Sequence, residues 1–234
     1  MRINKYLAES GVCSRREADR LIEAGKVTIN GELATLGSQV NEGDQVTFEG
    51  KPVEPKDQKV YLAFYKPLGV ECTANPKVKN NIIEYINYPV RIFPVGRLDK
   101  NSEGLILLTN DGELSNGILK ARYHHEKEYV VRVNQELTDA FLNQMASGVE
   151  ILDTKTRPCK VEKISATVFK IILTQGLNRQ IRRMCDALGY KVVKLKRIRV
   201  LNIVLGDLAI GKWRHLDDKE LSELRQVVYA KGTQ

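Results

Sequence analysis

The segment from residue 93 to residue 112, FPVGRLDKNSEGLILLTNDG, constrains the fold of this chain more than any other. Gly96 and Gly104 bracket a short charged turn, and an apolar run at 105–108 follows it directly. Glycines are typical of sharp turns, and a short apolar run bounded by turn residues predicts a buried strand. The turn therefore fixes the carboxylate of Asp99 beside a rigid support. Aspartate is common in turns, so the carboxylate alone does not establish a site.

Composition describes an ordinary globular protein. The 234 residues are 42% hydrophobic, which is enough for one sizeable domain or a small domain plus a medium one. No apolar run approaches the roughly 20 residues of a membrane span, and the N-terminus lacks the apolar core of a signal peptide. The four cysteines are far apart, which indicates neither a disulfide framework nor a zinc site. We therefore expect a reduced, cytoplasmic protein that does not contact a membrane.

The charge of the chain is unevenly distributed. The net charge of +8 favours a polyanionic partner. Residues 1–58 hold 8 Lys and Arg against 10 Asp and Glu, whereas residues 59–234 hold 29 against 19. The basic surplus therefore lies in the larger, C-terminal part.

The first part of the chain predicts two helices followed by a small twisted sheet. INKYLAESG is amphipathic, and Ser14 with Glu17 matches the capping box that begins a second helix. Residues 27–31 alternate and end in an Asn-Gly turn signal. The segment at 49–59 is polar, carries two prolines and predicts a linker. We therefore expect a domain at 1–58 and a second domain at 59–234.

The second part predicts alternating strands and helices. A strand from residue 60 leads into the turn KPLGV, Asp111 can cap a helix, and KEYVVRV at 127–133 alternates like a strand that carries Tyr129. The segment QGLNRQIRRMCDALGY at 175–190 predicts a helix with one apolar and one basic face. Eight basic residues against one acidic residue lie between 176 and 199, and they make the best candidate surface for nucleic-acid phosphates. Its candidate contacts are Arg179, Arg183, Lys194, Lys196, Arg197 and Arg199.

Three of these motifs together resemble the pseudouridine synthases, in the branch that contains RsuA, RluB, RluE and RluF. They are GRLDKNSEGL with the preceding KPLGV, the KEY of the Tyr129 strand, and NRQIRRM. The resemblance implies that Asp99 is the catalytic residue, that Tyr129 stacks on the target base, and that an arginine of the third motif pairs with Asp99. Aligning RQIR on that motif assigns the pairing to Arg182, with Arg179 as the alternative.

The resemblance also implies the reaction. Uracil moves from its N1 to its C5 attachment on the same ribose, which involves no redox change and calls for neither a metal nor an organic cofactor. A base inside a helix is inaccessible, so the uridine must leave the stack. Arg97 then either fills the vacated space or contacts a phosphate. Whether Asp99 attacks C1′ or abstracts the C2′ proton stays open, and either route requires an ionised carboxylate.

The N-terminal segment SRREADRLIEAGKVTING resembles the S4 domain, an RNA-binding module. It implies RNA contacts from a cluster of basic residues, namely Arg15, Arg16, Arg20 and Lys26. The two resemblances together imply an α+β protein, in which an S4 domain precedes a synthase domain built on a largely antiparallel mixed sheet. We expect it to act on structured RNA as a monomer.

The substrate is predicted by resemblance to the RluF group, which modifies a uridine of 23S ribosomal RNA. A transfer-RNA anticodon stem-loop is expected as a second target of similar shape. Two alternatives stay open, a 16S ribosomal RNA enzyme of the RsuA type and a non-catalytic S4-type RNA-binding or ribosome-assembly protein. The presence of all three synthase motifs favours an enzyme.

Overall fold

The computed structural model describes residues 1–56, 58–120 and 123–230. The chain forms two compact units. The first comprises Met1–Lys59 together with Tyr88–Ile92, and the second comprises Val60–Asn87 and the chain from Phe93 onward. In the described residues no helix is long and apolar enough to cross a membrane.

The first unit contains two helices and a four-stranded antiparallel sheet with the strand order β2-β1-β3-β4. Its elements are α1 (Ile3–Glu9), α2 (Arg15–Glu23), β1 (Val27–Ile29), β2 (Glu32–Leu33), β3 (Val46–Phe48) and β4 (Lys51–Pro52). Apolar side chains of both helices and of β1 and β3 form one core. The predicted layout of this unit is therefore confirmed.

The second helix begins as its sequence predicts. The Ser14 hydroxyl accepts a hydrogen bond from the backbone N–H of Glu17 at 3.2 Å. The Glu17 carboxylate does not complete a capping box but pairs with Arg20 at 3.1 Å. The hydroxyl alone thus provides the N-terminal cap of α2.

The predicted linker at 49–59 is partly wrong. Lys51–Pro52 forms β4 against β3, and Val53 packs against the core of the first unit. The Tyr6 hydroxyl also donates a hydrogen bond to the Val53 carbonyl at 3.1 Å. One apolar side chain and a short backbone pairing suffice to hold a segment whose composition resembles a linker.

The second unit contains five helices and eleven strands among its described residues. They are β5 (Tyr61–Lys66), α3 (Ile82–Ile86), β6 (Phe93–Val95), β7 (Glu103–Thr109), α4 (Gly112–Leu119), β8 (Lys127–Val133), α5 (Asp139–Ser147), β9 (Glu150–Ile151), β10 (Thr154–Lys155), β11 (Lys160–Lys163), β12 (Val168–Leu173), α6 (Gln180–Ala187), β13 (Val192–Val200), β14 (Ile203–Val204), β15 (Trp213–His215) and α7 (Asp218–Ala230). β9 and β10 form a separate hairpin.

The remaining nine strands form one sheet. Seven follow the order β11-β12-β8-β13-β7-β5-β15, with β6 paired to β7 and β14 paired to β13. Among the described residues only β7 and β13 pair in parallel, and the other neighbours are antiparallel. The expected largely antiparallel mixed sheet, and with it the α+β fold class, is confirmed.

Two hydrophobic cores cover this sheet. One is formed by α5 and α6 with β8, β12 and β13, and the other by α4 and α7 with β5, β6 and β7. The central strand β7 is buried along its whole length, as its apolar sequence predicts. The turn that carries Asp99 leads directly into β7, so it is attached to the most buried strand of the unit.

Two helices of this unit, α4 and α7, begin at the predicted caps. The Asp111 carboxylate accepts hydrogen bonds from the N–H groups of Glu113 and Leu114 at the start of α4. At the start of α7, Asp217 and Glu220 each accept a hydrogen bond from the other's backbone N–H, at 2.8 and 3.1 Å. These two predictions depended only on residues within one helical turn, and both are confirmed.

Candidate active site

Asp99 lies in a tight turn between β6 and β7. The Ser102 N–H donates to the Asp99 carbonyl at 3.0 Å and closes the turn. From the neighbouring loop, the Gly69 N–H donates to the Lys100 carbonyl at 2.8 Å, and Leu98 N–H donates to the Cys72 sulfur at 3.3 Å. The carboxylate itself keeps 33% of its side-chain surface accessible. The turn is thus held by its backbone while its carboxylate remains available.

A buried lysine supports the loop that holds this turn. The Lys66 ammonium, at the end of β5, donates to the carbonyls of Pro67 and Val70, both at 2.8 Å. Burial lowers the pKa of Lys66, and the nearby Asp99 is among the groups that partly offset this effect. Lys66 therefore stabilises the bend of KPLGV from inside, and that bend supplies the Gly69 contact.

Gly104 allows the end of the turn to approach β13 closely. Its φ is +114°, and a Cβ there would overlap the backbone of Arg197. β7 and β13 are parallel neighbours at this point, with Arg197 paired to Gly104. A side chain at this position would therefore push apart the two strands beside Asp99.

The arginine opposite Asp99 is Arg179. Its Nη1 lies 3.7 Å from the Asp99 carboxylate. Arg182, which the motif alignment assigned to this pairing, instead donates from Nη2 to the Asn101 carbonyl at 2.6 Å and to the Ser102 hydroxyl at 3.1 Å. In the structure the carboxylate is therefore paired with Arg179, the stated alternative, and Arg182 binds the turn that carries Asp99.

The local backbone explains this exchange. Arg179 is not within α6 but is its N-cap residue, in the left-handed conformation with a φ of 50°. The next residue, Gln180, is buried, and its side-chain oxygen accepts from the Leu177 N–H at 3.1 Å. The backbone at Arg179 thus departs from a regular helix, and from this position its guanidinium reaches the carboxylate of Asp99.

Asp99 and Tyr129 line one cavity of about 560 Å³. Tyr129 enters it from β8, whose alternate residues Val131 and Val133 are buried in the core. The segment before α6 and the Asp99 turn form other parts of the wall. The predicted catalytic residues are thus brought together from β8, the β6–β7 turn and the start of α6.

The cavity is strongly basic. Asp99 is the only carboxylate among the described residues that line it, and it is already paired with Arg179. The lining includes six basic side chains, namely Arg97, Lys120, Lys127, Arg179, Arg182 and Arg197. A cavity of this charge attracts a polyanion.

The predicted basic surface at 176–199 is not one surface. Arg197 is only 3% exposed, and its Nε donates to the Leu105 carbonyl at 2.7 Å. Arg199 pairs with Glu128 at 2.6 Å and with Glu126 at 3.0 Å, which neutralise it. The prediction that Arg197 and Arg199 are surface contacts for RNA is therefore corrected, because internal bonds hold both guanidinium groups, and a bulge in β13 lies between the two residues.

The other basic residues of the predicted surface differ in their surroundings. Lys194 pairs with Glu103 at 3.0 Å. The Arg183 guanidinium donates to both the backbone carbonyl and the side-chain oxygen of Asn178. For Lys196 no hydrogen-bond or ion-pair partner is found in the described part of the chain. Arg97 is exposed at the rim of the cavity.

In the first unit, the basic residues predicted to bind RNA are exposed. Arg15 and Arg16 project from the first turn of α2, and Arg20 pairs with Glu17 on the same helix. Lys26 pairs with Glu49 at 2.7 Å. These ion pairs are solvent-exposed, so each is weak and open to exchange for a phosphate.

Sequence reasoning missed two lysines of the site, Lys66 and Lys127. Both stand at an end of a strand that is otherwise largely apolar, β5 and β8 respectively. A lysine in a buried strand is rare without a purpose, and this signal was present in the sequence. A lysine at the end of a strand is ordinarily exposed, so its position alone does not distinguish it from a surface residue.

Comparison with known proteins defines the family. Residues 60–187 match the family described as RNA pseudouridylate synthase, and residues 1–46 match the S4 domain. The chain is 50% identical over 230 residues to the dual-specificity RNA pseudouridine synthase RluF of Escherichia coli K12, covering 97% of this chain and 79% of that protein. It is 37% identical over 233 residues to the ribosomal large subunit pseudouridine synthase B of Bacillus subtilis, covering 96% and 95%.

A solved structure agrees with these matches. The crystal structure of a pseudouridylate synthase superimposes with a TM-score of 0.71 at 30% identity, covering 96% of this chain and 99% of the other. The chain therefore belongs to the RNA pseudouridine synthases, and within them to the family of RsuA, RluB and RluF. The predicted family and enzyme class are confirmed.

Proposed function

We propose that this enzyme converts a specific uridine of structured ribosomal RNA, in the large-subunit 23S RNA, to pseudouridine, with Asp99 as the catalytic residue. The observation that carries the proposal is the carboxylate of Asp99 fixed on a rigid turn in a basic cavity that also contains Tyr129. The carboxylate supplies the chemistry, the aromatic ring can hold a base, and the basic wall suits RNA phosphates.

In this mechanism the target uridine leaves the stack and enters the cavity. Its base stacks on Tyr129, since base–aromatic stacking holds an extruded nucleotide without requiring a particular sequence. The guanidinium of Arg179 lies opposite the carboxylate of Asp99 and offsets its negative charge as water is displaced. Asp99 then either attacks C1′ or removes the C2′ proton, and both routes use the same ionised carboxylate.

The supporting residues keep that carboxylate in place. Arg182 binds Asn101 and Ser102 on one side of the turn, and the Lys66-supported loop binds Lys100 on the other. A catalytic group must stay within a fraction of an ångström of its reacting geometry. Arg97, exposed at the rim, fills the space that the uridine vacates or contacts a phosphate.

The division of labour follows the two domains. Residues 1–58 hold structured RNA through the exposed cluster Arg15, Arg16, Arg20 and Lys26, and residues 59–234 carry out the reaction. We also propose that the protein works as a monomer in the cytoplasm, where its RNA substrates are made. Arg183, Lys194 and Lys196 remain proposed contacts of the catalytic domain, because each can exchange its present partner or solvent for a phosphate.

The names of the relatives support the substrate. The Bacillus relative is a ribosomal large subunit enzyme, and the Escherichia coli relative has dual specificity. We therefore propose 23S ribosomal RNA as the principal substrate, with a transfer-RNA anticodon stem-loop as the second. An S4 module and a basic cavity recognise such RNAs by shape, backbone and a few splayed bases.

The test is pseudouridine mapping of total ribosomal and transfer RNA. Cells that lack the protein are compared with cells that carry either the wild-type gene or Asp99→Asn, and Asp153→Asn in the exposed β9–β10 turn is the matched control. We expect cells that lack the protein to lose one pseudouridine of 23S RNA. The wild-type gene and Asp153→Asn should restore it, whereas Asp99→Asn should not, because an amide is neither a nucleophile nor a base. A site lost only from 16S RNA would support an RsuA-type substrate, and restoration by Asp99→Asn would contradict the role of Asp99.

A further inference from the structure

Lys127 lies on the same strand as Tyr129. It is the first residue of β8 and lines the same cavity. Alternate residues of a strand share a face and are about 7 Å apart. Lys127 and Tyr129 therefore project into the cavity side by side, whereas Arg132, on the other face of β8, is exposed to solvent.

The charge of Lys127 is not balanced inside the protein. Among the described residues the lysine has no hydrogen-bond or ion-pair partner, and Arg197 lies close enough to repel it. Burial and, to a smaller extent, Arg197 lower the pKa of Lys127 to about 8. The only described carboxylate of the cavity, Asp99, is engaged by Arg179. The described part of the protein therefore provides no free anion to pair with the ammonium of Lys127.

We propose that Lys127 binds a phosphate of the flipped target nucleotide while the base of that nucleotide stacks on Tyr129. The proposal rests on the proposed function, which places the base on Tyr129. A phosphate carries the full negative charge that offsets both the burial of the ammonium and its repulsion by Arg197. A carbonyl of uracil is neutral and offsets neither.

The geometry distinguishes Lys127 from the other basic side chains of the cavity. Arg182 and Arg197 are occupied by backbone carbonyls, and Arg179 is occupied by Asp99. Arg97 is exposed at the rim and can reach phosphates of neighbouring nucleotides. Lys120 is also exposed, and its ammonium lies over the ring of Tyr123. Lys127 is the partly buried cation beside the stacking ring, so it contacts the nucleotide that enters the cavity rather than the RNA outside it.

The experiment replaces single phosphates of the RNA. A stem-loop containing the mapped uridine is made with one uncharged methylphosphonate at a time on either side of that uridine. Binding and single-turnover kinetics are measured for wild type, Lys127→Met, Lys127→Arg and the matched control Lys160→Met, whose lysine is exposed on β11. Circular dichroism checks that each variant is folded.

We expect one methylphosphonate to weaken wild-type binding about tenfold, as the loss of one charge-assisted hydrogen bond would. Lys127→Met should bind the unmodified RNA about tenfold more weakly and should no longer respond to that methylphosphonate. Lys127→Arg should restore the response, and Lys160→Met should match wild type throughout.

Two results would overturn the proposal. One is a Lys127→Met variant that remains as sensitive as wild type to every methylphosphonate. The other is a variant with unchanged binding and a reduced chemical step, which would place Lys127 at the uracil ring. Binding is measured without turnover, so wild type and Lys127→Met can be compared even on an RNA that the protein does not convert. If wild type fails to convert the RNA, that result contradicts the proposed substrate and leaves the role of Lys127 to the binding data.

Discussion

Asp99 depends on two arginines that do different things. Arg179 faces the carboxylate, with 41% of its own side chain exposed, whereas Arg182 binds the backbone and hydroxyl of the turn. In the proposed mechanism, Arg179 acts mainly on the charge of Asp99 and Arg182 mainly on the position of the turn. These roles can be separated by measuring stability and activity on the same variants.

For Arg179→Ala we expect pseudouridine formation to fall about a hundredfold, because a charge that supports the reacting group is lost. The free energy of unfolding should change by no more than about 0.5 kcal/mol, since the pair is exposed.

Arg182→Ala should lower activity and should also lower the free energy of unfolding by about 1–3 kcal/mol, because it leaves Asn101 and Ser102 unpaired. Arg132→Ala is the control. Equal losses of stability in the two arginine variants would contradict this division.

Lys127 should lower the stability of the folded protein. Its pKa is about 8 in the folded state and about 10.4 when unfolded. Below pH 8 the folded state carries the charged, buried ammonium in full, and between pH 8 and about 10.4 it releases the proton first, so wild-type stability rises with pH. We therefore expect Lys127→Met to be more stable than wild type by about 1–3 kcal/mol at pH 7.

Denaturant unfolding of both proteins from pH 7 to pH 10.5 measures this difference. The advantage of Lys127→Met should shrink as the pH passes from 8 to 10.5. The buried thiols have the opposite effect on the pH dependence of stability, because burial raises the pKa of Cys159 to about 11. This effect is the same in both proteins, so it cancels in the difference between their free energies of unfolding. A constant difference across this range would show that Lys127 does not titrate as described.

At the scale of elements, the site depends on the parallel contact of β7 with β13. This contact joins the turn of Asp99 to the strand that neighbours Tyr129. Every other described neighbour in the sheet is antiparallel, so the parallel pair lies where the chain returns from a distant part of the sequence. The glycine at this junction determines how close the two strands come.

Gly104→Ala should lower the free energy of unfolding by more than about 3 kcal/mol and abolish activity. The new Cβ would overlap the Arg197 backbone, and the φ of +114° is unfavourable for any other residue. Gly112→Ala at the start of α4 is the matched control, because nothing lies within 4 Å of its Cβ position and its φ is ordinary. Thermal unfolding of the two variants measures the effect, and a Gly104→Ala protein as stable as Gly112→Ala would refute the close approach.

At the scale of the whole molecule, the two units have separate cores, and the basic surplus of the chain lies outside residues 1–58. Residues 1–58 are slightly acidic in total, yet their basic residues on α2 are clustered and exposed. Local clustering of cations, rather than the total charge of a domain, determines how many phosphates a surface can neutralise. Residues 1–58 can therefore bind RNA although their net charge is negative.

The full-length variant Arg15→Ala, Arg16→Ala, Arg20→Ala should bind RNA more weakly and with a smaller salt dependence. Each lost phosphate contact reduces the slope of log K against log salt by about 0.7–0.9, so a reduction of about two to three is expected. Single-turnover rates at saturating enzyme should stay near wild type, because the cavity of the second unit is unchanged. An unaltered slope would mean that this face of α2 does not touch RNA phosphates.

Local patterns in the sequence determined the elements of this protein. The caps at Ser14, Asp111 and Asp217, the buried strand β7 and the alternation of β8 each depend on residues a few positions apart, and the structure contains all of them. The family and the enzyme class were likewise predictable, because contiguous motifs of the sequence resemble those of the family. The same motifs predicted that Asp99 and Tyr129 lie in one site.

Tertiary structure alone decided how distant side chains pair. Arg179 rather than Arg182 meets Asp99 because a left-handed residue precedes α6, and Arg197 is buried because β13 lies against Gly104. Lys127 lies in the cavity with Asp99 because β8 forms one wall of that cavity. These pairings join residues that are far apart in sequence, so they follow from sheet register and strand order, which no local pattern specifies.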